Sequence, residues 1–237
     1  MSNLSHPEIL DLLKHGLIVD FNTPTLNLAK TEETVASLAP FESLTALNGS
    51  TTTSNQITTM AQTCINAGAT GIRINELKIL ETIRKTIKAP IIASVNRHLE
   101  NTAVTTTPFL VDVEDLARAG ADIIAIDGTV RPHPIAIKDL LNKAHELQCL
   151  AMAECYSVED ALNCQKLGFD LIEICVEADK SVSKQIITTL EKSGIHPIVQ
   201  SYSSNLDEIK SLLGIGAYAI VITADNAQTF TTMKIDL

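Results

Sequence analysis

A helix end, a glycine turn and an apolar strand follow one another in residues 118–125, which read RAGADIIA. The same order recurs in residues 66–73 (NAGATGIR), 166–173 (KLGFDLIE) and 214–221 (GIGAYAIV). In each copy a glycine stands where a helix ends and where a left-handed backbone conformation is favoured. The copies lie roughly fifty residues apart, which is the length of two parallel strand–helix units. The repeat therefore predicts a regular parallel β/α fold.

Further apolar segments complete the set of strands. They are Leu17–Asn22, Pro90–Asn96, Cys149–Glu154 and His196–Ser201. Their apolar residues are continuous rather than alternating, which is typical of parallel strands that are covered on both faces. Eight alternating strand–helix units predict a single (β/α)8 TIM barrel over residues 1–237. A doubly wound open sheet is the structural alternative, but it would need a second domain to hold so many evenly spaced parallel strands.

The segments between the strands show the periodicity of helices. The predicted helices are Asn55–Asn66, Leu77–Ile87, Val113–Ala119, Ile135–Leu147, Val158–Leu167, Ser181–Lys192, Leu206–Leu213 and Ala227–Lys234. Ser157 and Asn205 each precede an acidic first turn and are typical N-cap residues.

Residues 23–48 make the first connection longer than a barrel loop requires. We predict an insertion there on the C-terminal face, where barrel active sites form, with a helix at Lys30–Leu38. The insertion is either a surface feature or a lid or a contact between subunits. A homo-oligomer is compatible with a barrel of this size.

The composition narrows the class of protein. Of the 237 residues, 45% are hydrophobic but only 3% are aromatic, so the core must be aliphatic. A net charge of −10 without a Lys/Arg-rich run argues against nucleic-acid and membrane partners. The N-terminal residues lack the pattern of a signal peptide, no apolar run of about 18 residues occurs, and the five cysteines form no Cys-x-x-Cys motif. We therefore expect a cytoplasmic protein with reduced thiols.

Several motifs resemble one family of sugar-phosphate enzymes. They are Gly71-Ile72-Arg73-Ile74, Pro90-Ile91-Ile92, Thr107-Pro108-Phe109-Leu110, Ala125-Ile126-Asp127-Gly128-Thr129, and Met152-Ala153-Glu154, which stands where the family has Met-Ala-Asp. From about Asn55 to Asp170 the chain resembles the bacterial N-acylglucosamine-6-phosphate 2-epimerases, and Gly16-Leu17-Ile18-Val19 is similar to their first strand. After Asp170 the similarity fades.

The resemblance implies a reaction that needs neither a metal nor a cofactor. The family interconverts the 6-phosphates of N-acetylmannosamine and N-acetylglucosamine by moving a proton at the carbon that bears the acetamido group. This implies a lysine and a carboxylate as acid and base, and an arginine and an aspartate that hold the sugar. In this chain Arg73 and Asp127 remain, whereas the lysine position is Asn96 and the glutamate position aligns with Ser201.

The phosphate cradle that the resemblance implies is also altered. Its glycine-arginine pair is Tyr202-Ser203 here, and its small residues after the eighth strand are Thr223-Ala224, followed by Asp225. Glycine lets the backbone approach a phosphate closely, whereas these residues do not. A carboxylate about 4 Å from a phosphate charge costs about 4 kcal/mol at an effective dielectric constant near 20. We therefore expect the parent activity to be very low or altered.

Other side chains on the active face are candidates for the missing roles. The catalytic candidates are Asp127, Glu154 and Glu173, because neighbouring carboxyl groups separate their pKa values and can then act as acid and base. The candidates for substrate binding are Asn22, Arg73, Arg97, Thr129 and Arg131, with Thr45 as the alternative to Asn22 at the first-strand position. A buried structural ion pair is the alternative role for Arg73 with Asp127.

Three hypotheses remain open for a ligand that is expected to be a sugar or a sugar phosphate. In the first, the chain is a divergent epimerase of amino-sugar catabolism that uses Asp127 with Glu154 or Glu173. In the second, it is a catalytically silent sugar-binding or regulatory barrel. In the third, it acts on a neutral or cationic substrate that Asp225 binds. Whether the chain is an enzyme thus stays open at the level of the sequence.

Overall fold

A computed structural model describes residues 4–21, 50–175, 180–190, 194–201 and 205–223. Eight parallel strands form a closed barrel in chain order. The strands are β1 (Gly16–Asp20), β2 (Gly71–Ile74), β3 (Ile91–Ala93), β4 (Ile123–Asp127), β5 (Leu150–Cys155), β6 (Leu171–Ile174), β7 (His196–Ser201) and β8 (Ala219–Thr223). Because β1 pairs in parallel with β8, the sheet has no edge. The predicted (β/α)8 barrel is confirmed, and the open-sheet alternative is wrong.

Helices alternate with the strands in the described part of the chain. They are α1 (His6–Leu13), α2 (Ser50–Asn66), α3 (Leu77–Ile83), α4 (Leu110–Ala119), α5 (Ile137–Glu146), α6 (Val158–Leu167), α7 (Lys180–Leu190) and α8 (Leu206–Gly214). The sequence pattern did not predict α1. None of these helices is long and apolar enough to cross a membrane. The insertion at 23–48 and the helices predicted at Lys30–Leu38 and Ala227–Lys234 lie outside the described residues.

The glycine turns have the predicted geometry. Gly120 ends α4 with φ of 101°, and Gly168 ends α6 with φ of 97°. Both N–H groups donate to carbonyl groups of the last helical turn, so each glycine ends its helix and directs the chain into the next strand. A side chain at either position would be strained.

The connection from α3 to β3 differs from its prediction. The helix was expected to reach Ile87, but it ends at Ile83. Arg84 bends the chain there: its Nη1 donates to Asp122 Oδ2 over 2.7 Å and its Nη2 donates to the carbonyl oxygen of Ala89 over 3.0 Å. A buried ion pair with the loop before β4 therefore overrides the helical pattern of the sequence.

Two aliphatic cores lie on opposite faces of the barrel wall. The inner core contains alternate strand residues such as Ile18, Ile123 and Met152, and α1 closes its N-terminal end. The outer core contains the intervening strand residues together with the helix faces. Since side chains alternate along a strand, the face on which each strand-end residue lies follows from its neighbours.

Candidate active site

Five charged residues of the described chain continue the inner face of the barrel at the carboxyl ends of the strands. They are Asp20, Arg73, Asp127, Glu154 and Glu173, and we call them the inward polar layer. Their lateral positions match, since Asp20 pairs with Arg73, Asp127 with Glu154, and Glu154 with Glu173. All five are buried, with 8% of their surface or less exposed. The layer lies at the end of the barrel where active sites form in this fold.

Arg73 crosses the barrel from β2 to the opposite wall. Its Nη2 donates to Glu154 Oε1 on β5, and its Nη1 donates to Glu173 Oε1 on β6. The second oxygen of Glu154 accepts a hydrogen bond of 2.8 Å from Thr106 Oγ1. One guanidinium therefore joins two buried carboxylates, with a separate hydroxyl supporting one of them.

The inward polar layer carries more negative than positive charge, and the pKa of Glu173 reflects this. Burial raises the pKa of Glu173 to about 7, the charge of Arg73 works against that rise, and Glu154 and Asp20 add to it. Its Oε2 is buried and has no hydrogen-bond partner in the described residues. A carboxyl group with a pKa near neutrality can both take up and release a proton, as general acid–base catalysis requires.

Arg73 is held in its charged form. Burial opposes the charge of the guanidinium, but the carboxylates of Glu173 and Glu154 outweigh it and keep the pKa of Arg73 above its ordinary value. Both of its terminal nitrogens donate to carboxylates inside a buried site.

Asp127 is hydrogen-bonded to Thr129 and does not form the buried ion pair with Arg73 that was the structural alternative for these two residues. Its Oδ1 accepts a hydrogen bond of 2.9 Å from the N–H of Thr129 and another from the hydroxyl of the same residue. Thr129 is itself buried and turned toward Asp127. The structure thus brings Arg73 and Asp127 to the inward polar layer. Thr129 holds the carboxylate of Asp127 in place.

The two predicted arginines on the loops have other partners. Arg97 Nε donates to Asp112 Oδ1 over 2.8 Å, and its guanidinium lies 6.0 Å from the centre of the Phe109 ring. Arg131 is exposed, and its Nη1 donates to the carbonyl oxygen of Ala103 over 3.3 Å. Neither is bonded to the inward polar layer. The other two predicted contacts, Asn22 and Thr45, lie outside the described residues.

The resemblance places the family's two proton-transfer groups at Asn96 and Ser201, whose amide and hydroxyl side chains do not titrate near neutral pH. Asn96 is exposed, and its backbone forms an isolated bridge with Thr106. On β7, Ile198 belongs to the inner core and Val199 to the outer core. The alternation of the strand therefore places Gln200 on the inner face and Ser201 on the outer face.

Sequence reasoning missed Asp20, Thr106, Gln200 and Tyr156. The signal for Asp20 and Gln200 was available, because each follows an inward apolar residue by two positions at a strand end. Tyr156 is half exposed, and its hydroxyl is hydrogen-bonded to the thiol of Cys175. Burial, followed by the charges of Cys175, Glu154, Glu173 and Asp127, raises the pKa of this phenol, which places it near the layer. Within the described residues, no three His, Cys, Asp or Glu side chains are grouped so as to hold a metal ion.

Sequence comparison with known proteins identifies one family. The family model described as "Putative N-acetylmannosamine-6-phosphate epimerase" matches residues 57–233, well past the point where the motif resemblance fades. Proteins described as "Putative N-acetylmannosamine-6-phosphate 2-epimerase" are 36% identical in Actinobacillus pleuropneumoniae serotype 5b and 32% identical in Haemophilus influenzae. Each of these alignments covers 94% of this chain and 90% of the relative.

Solved structures support the same fold. The N-acetylmannosamine-6-phosphate 2-epimerase from Clostridium perfringens is 24% identical and gives a TM-score of 0.75 over 99% of this chain and 97% of that chain. A 3-hexulose-6-phosphate synthase gives a TM-score of 0.56 at 13% identity, over 76% of this chain and 93% of that chain. At these identities the likeness concerns the barrel rather than the chemistry.

Proposed function

The chain belongs to the N-acetylmannosamine-6-phosphate 2-epimerase family, and on that premise we propose that it is a sugar-binding barrel of amino-sugar metabolism whose epimerase activity is very low. The observation that carries the proposal is the state of Arg73. Its two terminal nitrogens are bound to Glu154 and Glu173, inside the barrel and away from solvent. A sugar that bound Arg73 would have to compete with two buried carboxylates for the guanidinium.

Releasing Arg73 for a ligand is costly. A sugar phosphate that took over one nitrogen would leave a buried carboxylate without its cation, and breaking such a pair costs about 3–5 kcal/mol. That energy corresponds to a loss of roughly 10² to 10⁴ in affinity. An anionic ligand adds repulsion from the remaining carboxylates, so the layer favours neutral sugars over phosphorylated ones.

The proton-transfer groups support the same proposal. An amide at Asn96 cannot exchange a proton with carbon near neutral pH, and neither Gln200 nor Ser201 supplies a carboxylate at the end of β7. General acid–base groups contribute about 10² to 10⁴ each. Losing both members of the pair therefore lowers the turnover rate by about 10⁴ or more.

One observation favours a second candidate function, a divergent epimerase that uses Glu173 and Asp127. The pKa of Glu173 is raised to about 7, so this carboxyl group has the proton affinity of a general acid or base. During turnover Glu173 would have to give up its contact with Arg73. The cost of breaking that contact is the argument against this second function.

Proton NMR in D2O separates the two functions. The purified protein is incubated with N-acetylmannosamine 6-phosphate, and the signal of the proton on the amide-bearing carbon is followed together with the ratio of epimers. The N-acetylmannosamine-6-phosphate 2-epimerase from Clostridium perfringens serves as the positive control. We expect no exchange above background at high protein concentration, with the fold verified by circular dichroism. Rapid exchange that Glu173→Gln and Asp127→Asn abolish would overturn the proposal in favour of the divergent epimerase.

A further inference from the structure

A cavity separate from the inward polar layer opens between two loops of the barrel. Residues 98–102, which follow β3, form one wall, and residues 132–134, which follow β4, form the other. Its volume is about 580 Å³, and no residue of the layer lines it. Small-molecule sites have volumes of about 300 to 1,000 Å³. We propose that this cavity binds a neutral, hydroxyl-rich ligand, namely an unphosphorylated sugar.

Hydrogen bonds hold the two walls together. Thr102 Oγ1 donates to the carbonyl oxygen of Pro132 over 3.3 Å, and Arg131 Nη1 donates to that of Ala103 over 3.3 Å. Both bonds join the loop after β3 to the loop after β4. The cavity is therefore formed before a ligand arrives, which reduces the entropy lost on binding.

His133 supplies an acceptor that nothing in the described chain uses. Its side chain is 5% exposed, and its Nε2 lies 2.8 Å from the carbonyl oxygen of Thr129. A carbonyl oxygen only accepts, so Nε2 carries the hydrogen and Nδ1 of the neutral ring is an acceptor. Nδ1 is buried and has no hydrogen-bond partner among the described residues. Buried polar atoms rarely lack a hydrogen-bond partner. A ligand hydroxyl or N–H group that reaches the ring would donate to Nδ1.

The other lining residues fit a neutral sugar better than an anion. Glu100 and Asn101 are exposed and offer a carboxylate and an amide to hydroxyl groups. Pro132, Pro134 and Leu99 supply apolar surface for the C–H face of a sugar ring. No lysine or arginine is present among the described lining residues, and Glu100 would repel a phosphate group.

The cavity adjoins the inward polar layer without sharing its residues. His133 Nε2 lies 3.8 Å from Asp127 Oδ1, and this contact links the two sites. The proposal for the cavity rests on the proposed sugar-binding function and names where the sugar binds. The two remain distinguishable, because binding at the loops and proton exchange at carbon are measured separately.

Titration of the isotope-labelled full chain with N-acetylmannosamine tests the cavity. We expect saturable NMR shifts at the His133 ring nitrogens and at the amides of residues 98–102, and at least tenfold weaker binding of N-acetylmannosamine 6-phosphate. His133→Phe should lower the affinity about tenfold or more. His6→Phe is the matched control, because His6 also contacts a backbone carbonyl but lies at the opposite end of the barrel.

A second variant keeps the test decisive if His133→Phe does not fold. Glu100 is exposed, so Glu100→Lys should leave the fold intact while shifting the preference toward the phosphorylated sugar. Absence of saturable shifts would overturn the proposal. So would shifts confined to the inward polar layer, or unchanged affinity in a folded His133→Phe variant. None of these outcomes bears on the exchange experiment.

Discussion

Glu173→Gln removes one negative charge from the inward polar layer and keeps the shape of the side chain. In the wild type a single guanidinium, that of Arg73, serves both Glu154 and Glu173. Burial is the largest cause of the raised pKa of Glu173, and the charges of Glu154 and Asp20 add to it against the pull of Arg73. The folded barrel therefore prefers the neutral form of this side chain, which glutamine imitates.

The magnitude follows from the difference between the folded and unfolded pKa. The pKa of Glu173 is about 7 in the folded chain, against 4.5 for an ordinary glutamate. Because the folded state holds the proton more tightly, this stabilisation is complete below pH 4.5 and is lost as the pH rises through about 7. At 1.36 kcal/mol per pKa unit, the loss amounts to about 3 kcal/mol. Glutamine cannot ionise, so the variant escapes it.

Urea unfolding followed by far-UV circular dichroism measures the effect, since the chain has no Trp for fluorescence. The difference in unfolding free energy, variant minus wild type, should rise by about 3 kcal/mol between roughly pH 4 and pH 8. Glu81→Gln, an exposed change on α3, controls for the loss of a surface charge. A Glu173→Gln variant that is less stable by about 3–5 kcal/mol at pH 8 would refute the reasoning, because that is the cost of losing a net favourable buried pair. A pH-independent difference would refute it equally.

Three further substitutions test the contacts around the layer. Arg73→Met should lower the unfolding free energy by about 3–5 kcal/mol at pH 8. The loss should be smaller at pH 5, where one of the two carboxylates that Arg73 contacts is protonated. Equal losses at both pH values would contradict this prediction. Thr106→Val should cost about 1–3 kcal/mol in the same urea assay, because Glu154 loses a buried hydrogen bond, whereas Thr106→Ser should keep most of the stability. Arg97→Gln should cost about 1 kcal/mol through its half-exposed pair with Asp112 and leave sugar affinity unchanged by calorimetric titration. A large loss of affinity would identify Arg97 as a ligand contact.

The barrel itself could be predicted from the sequence because its signals are local. A buried parallel strand needs a continuous apolar run, and a helix that returns to the sheet needs a residue with positive φ, which Gly120 and Gly168 supply. The end of α3 could not be predicted in the same way. It depends on Arg84 reaching Asp122, a residue 38 positions away whose approach exists only after the barrel has closed.

The sequence could predict which residues form the candidate site, but not which contacts they make with one another. Asp127, Glu154 and Glu173 each lie at or next to the end of a strand, two positions after an inward apolar residue, so their place in one layer follows from strand alternation. The contact of Arg73 with β5 and β6 spans the barrel and depends on its diameter, which no local pattern encodes. The alternative of a buried ion pair between Arg73 and Asp127 rested on sequence motifs alone, and the structure gives both residues other partners.

The raised pKa of Glu173 is compatible with a structural layer and with an acid–base group, so the pKa alone does not choose between them. The two roles differ in what glutamine does at that position. A structural layer tolerates Glu173→Gln, gains stability from it at high pH and shows no exchange at carbon in either form. A catalytic layer tolerates the same change in its fold but loses exchange that the wild type possesses. Stability and exchange measured on one pair of proteins therefore assign the function of the layer.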